Sequence, residues 1–222
     1  MDCDRSRMVE LSHLLLPGRE EYELQVRNRY VEELLPEYRR PPQAWYIMSE
    51  VRLWSHVGTH MEAPYHYLQD GSDCAALPLA RVAGEAVRLD LRHKAIGQAI
   101  TPEDLAAADP GIRPGDIVLV WTGLDVHYRT ARSHDRPYFT LAAIQWLIAK
   151  EIACLGVDCS GIEKRDEPAQ PAHEALFRHG IPLIEHLTHL DQLTQTRFFV
   201  VAMPWRVQGL DASPVSVLAF EG

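Results

Sequence analysis

His56-Val57-Gly58-Thr59-His60-Met61-Glu62-Ala63-Pro64-Tyr65-His66 packs three histidines and a carboxylate into eleven residues, each at an even-numbered position. Alternate side chains of an extended chain share a face, so His56, His60, Glu62 and His66 would project to one side. A helix would scatter them, because two residues span about 200° of rotation. Pro64 would also lack a backbone donor inside such a helix. The spacing therefore predicts an extended segment, and imidazoles beside a carboxylate on one face suit a divalent transition metal. His56 and His60 would lie about 13 Å apart in a fully extended chain at roughly 3.3 Å per residue. Ligation of one ion by both requires a bend, which Gly58 permits.

A buried metal needs further ligands from elsewhere in the chain. The richest source is the stretch from Pro171 to Leu190, where His173 falls on a predicted helix and Glu185 ends an apolar run. A carboxylate at the end of a buried strand is costly unless paired or metal-bound. Taken alone, each of these residues is more readily read as structural, His173 as a surface or satisfied histidine. Spacing alone does not put them beside the first cluster.

Outward from these segments, the chain predicts a mixed α/β pattern. Strands are expected over Trp45–Trp54, Glu85–Leu91, Ile117–Trp121, Cys154–Asp158, Ile181–Ile184, Phe198–Met203 and Val215–Phe220. Thr101 before Pro102 and Thr140 before Leu141 are expected helix caps, the second over Leu141–Glu151. A short helix over Ala172–Arg178 should stop near Gly180. The charged segment 17–44 is expected to be a surface loop, with a short helix around Val31–Leu35, or else a lid.

A chain of 222 residues with 46% hydrophobic and 24% charged residues is expected to form one globular domain, residues 1–222. Its net charge is −9 and its basic residues are dispersed, which leaves no footprint for a nucleic-acid backbone. No apolar run approaches the roughly 18 residues of a membrane span. The opening residues lack a secretory apolar core, and four scattered cysteines show no CxxC pair. A cytoplasmic setting with reduced thiols is expected.

The His56–His66 segment resembles the HxGTHxDxPxH signature of the cyclase family of metal-dependent hydrolases, which includes bacterial kynurenine formamidases and isatin hydrolases. Val157-Asp158-Cys159-Ser160, the His173–Glu185 spacing and Glu10-Leu11-Ser12-His13 extend the resemblance over most of the chain. It implies a swivelling β/β/α fold with a mixed sheet, assembled as a homodimer or homotetramer. It also implies His56 and His60 as ligands of one metal and His173 of a second, with Glu62 and Glu185 shared. The implied cofactor is two divalent ions, Zn or Mn, and His66 matches the family's general acid/base. The implied reaction is C–N bond cleavage in a small amide or cyclic amide by metal-activated water.

Two positions depart from the pattern. Glu62 stands where the family has an aspartate, one methylene shorter. Leu15-Leu16-Pro17-Gly18-Arg19 stands where the formamidases carry a substrate-contacting tryptophan before Pro-Gly-Asp. Kynurenine formamidase activity is therefore held as an alternative. So are a hydrolase with Cys159 as nucleophile and a non-catalytic binding protein that retains the fold. His127, His134, His179, His186 and His189 are expected at the surface or in supporting roles. Trp121, Trp146 and Trp205 are expected in the core or at a subunit interface, and Tyr65, Tyr67 and His127 as pocket-lining candidates.

Overall fold

Apolar residues that alternate through Ile117–Trp121 divide between two cores, and this places the strand at the centre of the molecule. Ile117 and Leu119 pack into one buried cluster, while Val118 and Val120 pack into another across the sheet. A strand buried on both faces is what a parallel neighbourhood requires. The computed structural model describes residues 7–222. Cys3 and the opening residues 1–6, on which the expectation of no secretory signal rested, lie outside the described residues.

The strands are β1 (Arg7–Glu10), β2 (Leu24–Tyr30), β3 (Ile47–Leu53), β4 (His60–Glu62), β5 (Ala83–Asp90), β6 (Ala99–Ile100) and β7 (Ile117–Trp121). They continue with β8 (Tyr138–Phe139), β9 (Cys154–Val157), β10 (Leu183–Glu185), β11 (Arg197–Ala202), β12 (Ala212–Pro214) and β13 (Val217–Glu221). The helices are α1 (Val31–Leu34), α2 (Leu79–Val82), α3 (Pro102–Ala108), α4 (Leu141–Ala149) and α5 (Pro171–Arg178).

Nine strands form one mixed sheet in the order β1-β13-β11-β5-β7-β9-β10-β4-β12. The centre, β5-β7-β9-β10, is parallel, and antiparallel strands flank it on both sides. Helices α3, α4 and α5 bury Leu105, Ile144, Leu147, Leu176 and Phe177 against one face. This is the mixed α/β architecture expected from the sequence. Thr101 caps α3 with a reciprocal bond from Asp104, and the Thr140 side chain accepts from the Ala143 amide at the start of α4. No helix among the described residues is long and apolar enough to cross a membrane.

Two expectations need correction. Segment 17–44 is not a loop with one short helix. The helix is there as α1, but Leu24–Tyr30 forms β2, paired with β3 from Leu24↔Leu53 to Tyr30↔Ile47. Most of β2 is exposed and reads Leu-Gln-Val-Arg-Asn-Arg-Tyr, so no buried alternation announces it. The histidine segment is likewise not one continuous strand. Only His60–Glu62 is β4, and Pro64–His66 is a 3₁₀ turn. Gly58 makes the bend, with φ of 70°. This position needs glycine for its conformation, and a Cβ there would also displace the end of the Leu15 side chain.

Candidate metal centre

β4 lies between β10 and β12, and this pairing builds the site. His60 stands opposite Glu185 on one side and Pro214 on the other, while Glu62 stands opposite Leu183 and Ala212. Glu185 ends β10, and Ser160, Gly161 and Glu163 follow β9, so the cavity opens at the carboxyl ends of parallel strands. It has a volume of about 280 Å³ and contains all six residues His56, His60, Glu62, His66, His173 and Glu185.

Four imidazoles point Nε2 toward the two carboxylates. Glu62 Oε1 lies 3.2 Å from His56 Nε2 and 3.7 Å from both His60 Nε2 and His66 Nε2. Glu62 Oε2 lies 3.6 Å from His173 Nε2. Glu185 spans the same gap, with Oε2 at 3.8 Å from His60 Nε2 and Oε1 at 3.8 Å from His173 Nε2. Two donor groups share Glu62, His56-His60-Glu62 and Glu62-His173-Glu185, and a third, His56-His66-Asp211, adjoins them through His56.

The other ring nitrogen of each histidine is already engaged. His60 Nδ1 donates to the Gly58 carbonyl at 2.8 Å, and His173 Nδ1 meets Glu163 Oε1 at 3.1 Å. His66 Nδ1 meets Asp211 Oδ2 at 3.1 Å, and His56 Nδ1 meets Ser55 Oγ at 3.1 Å. A proton held on Nδ1 leaves Nε2 as a lone pair, the form a metal takes. His56 Nε2, His60 Nε2 and Glu62 Oε2 are buried without a hydrogen-bond partner. Orphaned buried acceptors of this kind call for a cation. The residues present therefore fit a divalent ion, and the longer Glu62 reaches both donor groups.

Titration behaviour agrees. Burial opposes protonation of His173, yet Glu163, Glu185 and Glu62 raise its pKa to about 10. Burial likewise opposes protonation of His60, and Glu62 and Glu185 outweigh it, so its pKa is also raised. Burial works against a charged Glu62, but the surrounding histidines hold its pKa well below the usual carboxylate range. The pocket stabilises positive charge, whether carried by protons or by a metal.

Three supporting residues escaped the sequence reading. Glu163 accepts from the Ala172 and His173 amides at 2.7 and 2.9 Å, so one carboxylate caps the first turn of α5 and orients His173. Asp211 takes Ser55 Oγ at 2.9 Å as well as His66. Arg136 lines the cavity with His134 and His186. An acidic residue ten positions before a histidine was the available signal for Glu163 (173 − 163). Asp211 carried none, being far from His66 in sequence.

Tyr65, Tyr67 and His127 do not line this cavity; Tyr67 instead donates to the Ala169 carbonyl at 2.7 Å. The aromatic lining is Tyr22 and Trp54, at the base of the β2–β3 ribbon. Trp205 is not in the core but half exposed, beside a separate cavity. Cys159 is 2% exposed, and burial pushes its thiol well above the ordinary range, so it is no nucleophile.

Comparison with known proteins follows the same lines. A kynurenine formamidase of Bordetella pertussis is 28% identical over 181 residues, covering 78% of this chain and 80% of that protein. One from Erythrobacter litoralis is 28% identical over 165 residues, covering 74% and 73%. The solved structure of a potential metal-dependent hydrolase with cyclase activity superposes with a TM-score of 0.76 at 27% identity, covering 97% of this chain and 98% of that one. Isatin hydrolase A from Ralstonia solanacearum shares the fold, with a TM-score of 0.80 at 21% identity and coverage of 97% and 92%. The family described as putative cyclase matches residues 9–164, which include His56, His60, Glu62 and His66 but end before His173 and Glu185. With 156 of its 222 residues matched (164 − 9 + 1), the chain belongs to this putative cyclase family.

Proposed function

We propose that this chain is a metal-dependent hydrolase that cleaves the C–N bond of a small amide or cyclic amide. The convergence of four Nε2 atoms on Glu62 and Glu185, with orphaned buried acceptors among them, carries this reading. The names of the 28% identical formamidases and of the 27% identical hydrolase support it. In this reading His56, His60 and Glu62 hold one divalent ion, and Glu62, His173 and Glu185 hold a second, either Zn or Mn. Such an ion supplies Lewis acidity, lowering the pKa of a water and polarising a carbonyl oxygen.

The chain's own residues do the rest. Asp211 keeps the proton of His66 on Nδ1, which leaves Nε2 free to accept a proton from the attacking water. The same nitrogen then returns the proton to the leaving amine. Glu163 holds the His173 ring in place. Trp54 and Tyr22 offer apolar surface at the mouth. A single domain over residues 1–222, a homodimer or homotetramer and a cytoplasmic setting belong to the same proposal.

Elemental analysis of untagged chain purified without chelator, followed by assays on formanilide and cyclic amides, tests this. About two equivalents of Zn or Mn with turnover support it, and about one equivalent points to a mononuclear site. No metal after reconstitution, with no turnover, would overturn it in favour of a binding protein. Kynurenine formamidase activity is the second reading, favoured by the relatives' name, and an assay on N-formylkynurenine separates it.

A further inference from the structure

Arg136 is the one lysine or arginine lining the metal-centre cavity among the described residues. Three of its five donor hydrogens go to neutral acceptors. Nε donates to the Glu163 carbonyl at 3.2 Å, and Nη1 donates to the His134 carbonyl at 3.3 Å and to Ser160 Oγ at 3.1 Å. No carboxylate oxygen of the described residues lies within ion-pair distance of it, and the nearest metal-centre carboxylate, Glu185, stands across the gap at Gly161. Both hydrogens of Nη2 remain free.

The neighbouring carboxylates are committed elsewhere. Glu62 faces four histidines, Glu163 caps α5 and holds His173, and Glu185 faces His60 and His173. Nη2 borders a gap that Gly161 leaves open. A Cβ at Gly161 would sit 3.0 Å from Glu185 Oε1 and 3.5 Å from Arg136 Nη2. The φ of 118° at Gly161 also disfavours any side chain there. The guanidinium is thus held rigid by backbone and hydroxyl, with its free edge beside the candidate metal centre. A half-buried, weakly hydrated guanidinium held in this way is well suited to a carboxylate.

We propose that Arg136 is a specificity-determining residue that receives a carboxylate of the amide substrate, so that the preferred substrates are anionic amides. The inference rests on the amide-hydrolase reading above. Trp54 and Tyr22 at the mouth make an aromatic amide the natural probe.

The test uses the full chain reconstituted with Mn and two substrates, formanilide and its ortho-carboxylate. Wild type should prefer the carboxylate. Arg136→Gln should lower the ratio of kcat/KM for the acid over the neutral amide at least tenfold, mainly through KM, and Arg136→Lys should restore part of it. An unchanged ratio overturns the proposal. Equal loss on both substrates also overturns it, since Arg136 then only balances the charge of Glu185. If wild type cleaves neither amide, calorimetric titration with 2-aminobenzoate decides the anion site by itself, and the metal content and cyclic-amide assays decide the hydrolase reading separately. Binding weakened tenfold by Arg136→Gln supports the site, and absent or equal binding overturns it.

Discussion

His60 and Glu185 stand directly opposite each other in the antiparallel pair β4–β10, with His60 Nε2 3.8 Å from Glu185 Oε2. This one register joins the two halves of the candidate metal centre, because Glu185 also reaches His173 on α5. A slip of one residue would turn Glu185 to the opposite face of the sheet and take a carboxylate out of the site.

Glu163 acts on the centre through His173. Glu163→Gln keeps the side chain's shape and an acceptor oxygen for the α5 amides but removes the charge beside Nδ1. The fold should persist, while metal affinity falls roughly 10- to 100-fold. Competition with a chromogenic chelator measures this, and wild-type affinity would remove Glu163 from the site.

His66→Ala should retain the bound metal and lose turnover by roughly 100- to 10,000-fold, the usual contribution of a general acid/base. Asp211→Asn should give a smaller loss, because it disturbs only the tautomer and orientation of His66. Metal content and kcat measured on the same preparations check both. Full activity in His66→Ala would assign proton transfer elsewhere.

Gly58→Ala should destabilise the protein by at least about 2 kcal/mol, from a positive φ and from the overlap with Leu15. Thermal unfolding measures the loss. Adding Leu15→Ala removes the overlap but not the backbone strain, so the double variant should recover only part of the lost Tm.

His13 links stability to pH. Its Nε2 is buried without a partner and its ring stacks on Tyr128 at 3.9 Å. Burial lowers its pKa from 6.5 to about 4, with Arg129 also lowering it and Asp125 opposing. The folded pKa lies below the unfolded one, so its contribution is fully present above pH 6.5 and is lost as pH falls toward 4. The slope should be at most about 1 kcal/mol per pH unit, since His13 keeps some contact with solvent. Urea unfolding of wild type and His13→Gln between pH 4 and pH 7 checks it. A parallel pH dependence in the two proteins would assign the effect to other groups.

The local pattern alone made much of this protein legible. Apolar alternation announced β5, short apolar runs announced β7, β9, β11 and β13, and Thr101 and Thr140 announced α3 and α4, because these signals are written in neighbouring residues. The ribbon strand β2 was not legible, since an exposed strand buries no alternating face. The chemistry of His56, His60, Glu62 and His66 was readable because they lie within one short segment. Asp211 was silent, and Arg136 became conspicuous only once its partners proved to be neutral. Whether His173 and Glu185 join the first cluster was a matter for the tertiary structure. Sequence sets which side chains share a face, but strand register and the packing of α5 set which faces meet, and those depend on contacts between residues far apart in the chain.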